Sequence, residues 1–215
     1  MRWPRLKVFL CASLLSAAVL SAQTSSSSAK SKPAHITIDP TLGEIADGVY
    51  RNSTFALSYK IPFGWVERTQ DMQGDDSSAS KSRVLLAIFE RPPDAPGTTV
   101  NSAVVIAAEK ASDYPGLKTA ADYFGPMEEL IASKGFKVVS GPDEFPVGVK
   151  KLARGDFAKD MPGASNDKDK LTMQQSSLVE LDHGYIVSFT FIAGDEDEVE
   201  ELIGNLSFVG TRNAR

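Results

Sequence analysis

The sequence predicts an α+β fold in which a mostly antiparallel β-sheet is flanked by helices. Strand-like segments follow one another along the chain, whereas only two segments have helical character, one near the middle and one near the end. Segregated strands and helices are typical of this class. The clearest hairpin joins 173–181 to 185–192 through Asp182-His183-Gly184, where glycine supplies a positive φ. Because the strands of a hairpin run in opposite directions, this hairpin favours an antiparallel sheet.

The first half of the domain reads as strands. Val49-Tyr50 forms a short strand before an Asn52-Ser53 turn. Apolar side chains then alternate with small or polar ones, at Phe55, Leu57, Tyr59 and Ile61, which is the period of a half-buried strand. Two continuous apolar runs, 84–89 and 103–108, predict buried strands. The polar stretch 71–82 and the proline-rich stretch 91–97 predict the loops before and after the first of these runs.

A helix is predicted over 119–134. Thr119 and Asp122 have the spacing of a capping box, and Gly135 stands where a left-handed C-cap is expected. Pro126 removes a hydrogen-bond donor, so we expect a kink or a helix that begins near Gly125.

The second half returns to strands and ends with a helix. Residues 136–139 form a strand that Gly141-Pro142 ends, and Pro146 marks a loop before another strand over 150–157. Four acids, 195–198, begin the last helix, where the helix dipole favours negative charge. A short strand over 207–209 closes the domain.

The N-terminus predicts export. Residues 1–22 have a basic head, an apolar run over 8–20 and a small-residue end, Leu20-Ser21-Ala22, which together are typical of a cleavable signal peptide. The run is shorter than a membrane-spanning helix needs, so no membrane insertion is expected after cleavage. Residues 23–40 form a serine-rich flexible linker, and 41–211 form a single domain. The protein is therefore expected to be periplasmic or secreted.

Signal cleavage changes the chemistry of the chain. It removes Cys11, which is the only cysteine, and three of the 23 basic residues, leaving 20 against 28 acidic ones. The mature chain then has neither thiol chemistry nor disulfides. An acidic surface disfavours nucleic acid, since nucleic-acid binding needs clustered Lys and Arg.

Two stretches resemble the PsbP-like family. The first is Tyr50 to Tyr59 followed by Pro62 and Gly64-Trp65; the second is the strand Tyr185 to Phe191, the acidic helix and Leu206-Ser207-Phe208. The resemblance spans about residues 47–210. Related folds include PsbP, the Ran-binding Mog proteins and bacterial envelope proteins such as DcrB and LpqN. The resemblance implies an α/β/α sandwich with binding or assembly roles, and it transfers no catalytic residue.

No catalytic residue and no cofactor are predicted. The two histidines are His35, toward the end of the linker, and His183, in a hairpin turn. The sequence lacks G-x-S-x-G, H-E-x-x-H, a phosphate-binding glycine loop and an EF-hand.

Candidate metal ligands are Asp195, Asp197 and Glu198, for which calcium is the cation considered. Calcium takes six to eight converging oxygens. Successive acids around a helix start point in different directions, so helix capping and solvation are the competing explanation.

Candidate binding residues are Phe63, Trp65 and Tyr114. Aromatic side chains dominate interface hot spots. The competing interpretation of Phe63 and Trp65 is a core corner where a strand ends.

Two functional hypotheses follow. The first is an exported, non-enzymatic binding or assembly protein of the bacterial cell envelope that contacts an unknown envelope protein through a sheet edge or loops. The second is a small-ligand binder or weak hydrolase with a pocket between sheet and helices. A cleft of roughly 300–1,000 Å³ with an apolar lining and a few polar groups would favour the second hypothesis.

Overall fold

The computed structural model describes residues 42–73, 82–161 and 171–208, which all belong to one compact unit within Ile38–Arg215. The predicted signal peptide and linker lie outside the described residues, as does most of the predicted loop 71–82. The strands are β1 (Glu44–Ala46), β2 (Val49–Asn52), β3 (Leu57–Lys60), β4 (Val66–Glu67), β5 (Ser82–Phe89), β6 (Ala103–Lys110), β7 (Lys137–Val147), β8 (Lys150–Asp160), β9 (Thr172–Asp182), β10 (Tyr185–Ala193) and β11 (Leu206–Phe208). The α-helices are α1 (Thr69–Gln73), α2 (Phe124–Ser133) and α3 (Glu196–Gly204), and short 3-10 helices span Ala111–Asp113 and Ala120–Tyr123.

The strands form two sheets. The larger sheet has the order β4-β5-β6-β10-β9-β8-β7, and the smaller has the order β1-β2-β3-β11. Every strand pairing in the described residues is antiparallel. The α+β class and the predominance of antiparallel strands are therefore confirmed.

Each face of the seven-stranded sheet is covered by a separate core. On one face, side chains of the smaller sheet and of α3 pack against strand residues such as Leu178 and Phe189. On the other face, Phe124 and Ile131 of α2 pack against Phe157 and Val179. Neighbouring residues such as Leu178 and Val179 enter opposite cores because side chains alternate across a strand.

The middle helix, α2, begins at Phe124, so that Pro126 lies in its first turn. Thr119 and Asp122 form the predicted capping box, but they cap the 3-10 turn that precedes α2. Pro126 is the third residue of α2, within the first turn, where backbone N–H groups have no partner inside the helix. Gly135 follows the helix with φ +86°, as predicted for a left-handed cap.

The hairpin between β9 and β10 is also confirmed. Its two-residue turn places His183 at φ 49° and Gly184 at φ 79°. Positive φ at both central residues matches the right-handed twist of the strands that flank a tight turn.

The prediction that a strand ends at residue 139 is wrong. β7 continues through Gly141-Pro142 and Pro146 to Val147. Its pairing with β8 shifts twice, between Val138 and Ser140 and between Ser140 and Asp143, and these irregularities absorb the extra residues. Because β7 is the last strand of its sheet, its prolines do not interrupt pairing with a second neighbour.

None of the helices in the described part of the chain is long and apolar enough to cross a membrane.

Candidate functional site

The end strand β7 is exposed along almost its whole length. Its first eight residues are all exposed, including Val138 at 53% and Val139 at 57%. One side of β7 pairs with β8, and no strand in the described ranges pairs with the other side. A sheet edge of this kind presents backbone N–H and C=O groups that can pair with another strand.

A cleft of about 310 Å³ opens beside the start of β7. It lies between the sheet and the first turns of α3. We call it the acidic cleft; its lining residues are Val139, Ser140, Arg154, Asp156, Gln174, Gln175, Glu196, Asp197, Val199 and Glu200.

Arg154 is held in the acidic cleft by two carboxylates. Its Nε lies 2.9 Å from Asp156 Oδ1, and its Nη2 lies 2.6 Å from Glu200 Oε1. The Ser140 hydroxyl also donates to Asp156 Oδ2 at 2.8 Å. Partial burial opposes ionisation of Asp156, but the hydrogen bonds it accepts outweigh burial and hold its pKa below the ordinary value. Arg154 is thus neutralised by groups of this chain.

Glu196 and Asp197 are the acids of the acidic cleft that remain unpaired. Neither has a hydrogen-bond or ion-pair partner in the described segments. The charged lining side chains are one arginine and four carboxylates. The acidic cleft therefore carries a net negative charge and attracts cations.

The predicted metal ligands are divided between two roles. Asp195 is the N-cap of α3 and accepts the Glu198 backbone N–H at 2.8 Å. The Glu198 carboxylate reaches back to the Gly194 N–H at 3.3 Å, which completes a reciprocal cap. Only Asp197 lines the acidic cleft. The described residues contain no group of three or more His, Cys, Asp or Glu side chains placed to hold a metal ion. Calcium binding stays a prediction.

The predicted binding residues lie in different surroundings. Phe63 is fully exposed, in the turn before β4. Trp65 is half-buried against the core under the smaller sheet. Tyr114 packs against the core under α2, and its hydroxyl donates to Glu109, which also accepts from Tyr123. Burial and the Glu109 carboxylate raise the pKa of Tyr114 to about 12. Trp65 and Tyr114 therefore belong to cores on opposite faces of the larger sheet and do not form one surface.

Replacing Phe63 with Ala is expected to change the free energy of unfolding by no more than about 0.5 kcal/mol, because the ring buries almost nothing. Urea unfolding of both proteins measures this change. Phe55→Ala is the control, because Phe55 is fully buried and its truncation is expected to cost about 3–5 kcal/mol. A loss above about 1 kcal/mol for Phe63→Ala would show that the ring packs against the domain.

A partly buried ionic cluster, which the sequence did not predict, links the larger sheet to the turn before β3. The Lys150 ammonium donates to Glu180 Oε2 and to Asp182 Oδ2, each at 2.8 Å, and to the Phe55 carbonyl at 3.1 Å. It also lies 4.5 Å from the centre of the Phe208 ring. The three ammonium hydrogens are thus all used. The position of Glu180, two residues after the inward-facing Leu178, is the sequence signal that identifies it as buried.

Glu180 is the most buried charged residue of this cluster, at 5% exposure. Burial raises its pKa, and the Lys150 ammonium opposes that shift. Its second oxygen, Oε1, has no hydrogen-bond partner among the described residues. The cluster therefore connects β8 and β9 to the turn before β3.

Comparisons with known proteins give weak matches. No family model matches the chain, and no curated protein matches it. A crystal structure from Bacteroides thetaiotaomicron is similar over 73% of this chain, with 16% identity and a TM-score of 0.35. The chain spans 46% of that protein's length. LpqN of Mycobacterium tuberculosis, which is described as involved in cell envelope biogenesis, is similar over 72% of this chain and 83% of its own, with 13% identity and a TM-score of 0.36.

LpqN is one of the proteins named with the PsbP-like resemblance. At 13% identity and a TM-score of 0.36, this match carries no argument about the fold family, activity or partners of the chain. The PsbP-like assignment itself stays a prediction.

Proposed function

We propose that this chain is an exported, non-enzymatic binding protein of the bacterial cell envelope that adds a strand of a partner protein to β7. The observation that carries the proposal is the exposure of the proline-free start of β7, Lys137–Ser140, at the end of its sheet. Proteins normally shorten, cover or charge such an edge, since it pairs with any available strand. Prolines, charged residues and register shifts blunt much of β7 in this way, so its proline-free start is the part suited to recognition by β-augmentation.

The two halves of β7 differ in their capacity to pair. The second half contains Pro142 and Pro146, which have no N–H to donate. The first half, Lys137–Ser140, has no proline and presents Val138 and Val139 to solvent, although the register shift between Val138 and Ser140 leaves Val139 without a partner residue on β8. We call Lys137–Ser140 the β7 edge, and it is the segment on which the proposal rests.

The small-ligand hypothesis has weaker support. The acidic cleft has the volume of a small-ligand site, but only Val139 and Val199 among its lining residues have large apolar side chains. Ligand pockets are mostly apolar with a few polar groups, which is the reverse of this lining.

Photo-crosslinking tests the proposed function. Full-length protein carrying p-benzoylphenylalanine at position 139 is irradiated in the host cell, and adducts are separated by electrophoresis. A discrete adduct is expected, because a strand on the β7 edge would lie within reach of this side chain. Position 72 is the matched control: Met72 is 45% exposed on α1, which packs on β5 toward the opposite end of the sheet. The absence of an adduct at position 139, or the same adduct at both positions, would contradict the proposal.

A further inference from the structure

The β7 edge and the acidic cleft are adjacent parts of one surface. Val139 and Ser140 belong to both, and the remaining lining residues come from β8, β9 and α3 on the same side of the sheet. Side chains of a β-strand alternate between the two faces of its sheet. A strand paired with the β7 edge would therefore direct every second side chain toward the face that carries the acidic cleft.

The charge of the acidic cleft selects the side chain that fits there. Arg154 already neutralises much of the charge of Asp156 and Glu200 through contacts of 2.9 and 2.6 Å. Glu196 and Asp197 remain without partners in the described segments, at the mouth formed by the first turn of α3. An acidic side chain there would be repelled by both carboxylates, while a basic one would be attracted.

Two further observations support a basic partner. Lys137, the only basic residue of the β7 edge, does not line the acidic cleft and so is not placed to neutralise Glu196 and Asp197. The whole chain has a formal net charge of −5, which steers basic partners toward it.

We infer that the partner contributes an extended basic segment, which pairs with the β7 edge and places one Lys or Arg side chain in the acidic cleft beside Glu196 and Asp197. The inference rests on the proposed function, because it names the chemistry of the strand that β7 accepts. Backbone pairing supplies binding that is independent of sequence, and the acidic cleft supplies the preference for a basic residue.

Calorimetric titration with three short extended peptides tests the inference. The peptides share outer threonines and inner valines and differ only at the central residue, which is lysine, norleucine or glutamate. The full-length protein is expected to bind the lysine peptide about tenfold more tightly than the norleucine peptide, with the glutamate peptide weakest. The preference for lysine is expected to shrink as salt is added, because the acidic cleft is open to solvent.

Two variants test whether Glu196 and Asp197 cause the preference for the lysine peptide. In Glu196→Gln/Asp197→Asn, the advantage of the lysine peptide is expected to fall to within about twofold, while the norleucine peptide binds as before. Glu201→Gln is the matched control, because Glu201 is on α3, is exposed and does not line the acidic cleft. Circular dichroism of both variants checks that α3 is intact.

The outcomes separate this inference from the proposed function. Equal binding of the three peptides, with crosslinking from position 139, would overturn the basic-segment inference and leave strand addition standing. A lysine preference that survives the double variant would also overturn the inference. If no peptide binds and no adduct forms at position 139, both the inference and the proposed function fail.

Discussion

Replacing Lys150 with Met is expected to lower the free energy of unfolding by about 3 kcal/mol at neutral pH. The ammonium makes three hydrogen bonds, to Glu180, Asp182 and the Phe55 carbonyl, and methionine makes none of them. Glu180 would then be a buried carboxylate without its counter-ion, and its Oε1 already lacks a partner in the described residues. Removal of one partner of a buried pair costs more than the pair contributes when intact. Urea unfolding monitored by tryptophan fluorescence measures the loss.

The pH dependence of this loss has a definite sign. Burial raises the pKa of Glu180 above the ordinary 4.5, and Lys150 holds that rise in check. Without Lys150 the pKa in the folded state rises further, so the folded state binds more protons than the unfolded state above about pH 4.5. Stability then falls as the pH increases through the folded pKa. The loss in Lys150→Met is therefore expected to be larger at about pH 7.5 than at about pH 5.

The double variant Lys150→Met/Glu180→Met is the control. It removes the uncompensated carboxylate together with the ammonium, so most of the stability lost in the single variant is expected to return. A double variant that is no more stable than Lys150→Met at pH 7.5 would contradict the role assigned to Glu180.

Replacing Gly141 with Ala is expected to cost about 3 kcal/mol of unfolding free energy. Gly141 has φ +90°, which residues with a Cβ rarely adopt. A Cβ at this position would press against the Arg154 carbonyl oxygen and lie 2.8 Å from Gly155 Cα. Both contacts are with the backbone of β8, so no side-chain rotation relieves them. The melting temperature and urea midpoint of the variant measure the effect.

Gly148→Ala separates backbone strain from the steric clash. Gly148 also has a positive φ, of +58°, but an added Cβ there would have open space around it. Its replacement is expected to cost only about 1 kcal/mol. Equal losses in the two variants would mean that the predicted clash between a Cβ at position 141 and the backbone of β8 adds nothing to the cost of backbone strain.

Local patterns were enough to predict most of the fold. The alternation over 55–61 predicted β3, because a strand with one covered face has apolar side chains at every second position. The two apolar runs predicted β5 and β6, because a strand covered on both faces is apolar throughout. The cap residues Thr119 and Gly135 and the turn at His183-Gly184 were also predictable, since each depends on groups within a few residues along the chain.

Features that depend on position within the sheet were not predictable. Pro142 and Pro146 predicted a loop because proline lacks an N–H, yet the end strand β7 needs hydrogen bonds on one side only. The short elements β1, β4 and α1 were also missed, since two to five residues carry too little periodicity.

The candidate site was predicted only in part. The acids 195–198 were identified, but Asp195 and Glu198 cap α3, and only part of the run lines the acidic cleft. Arg154 and Asp156 had no local signal, because they come together with Glu200 through the packing of α3 on the sheet. The position of Glu180 in its strand indicated burial, but its contact with Lys150, 30 residues away, had no local signal because it depends on the pairing of β8 with β9.

Amide hydrogen exchange along β7 tests the central claim most directly. Full-length protein is exchanged in deuterated buffer with and without a saturating concentration of the lysine peptide, and single-residue rates are read by NMR. Strand addition predicts that the amides of the β7 edge, Lys137–Ser140, that point away from β8 slow by at least about tenfold while exposed amides of α1 do not change. Protection that appears elsewhere, or unchanged exchange along Lys137–Ser140, would contradict the claim that this sheet edge is the binding surface.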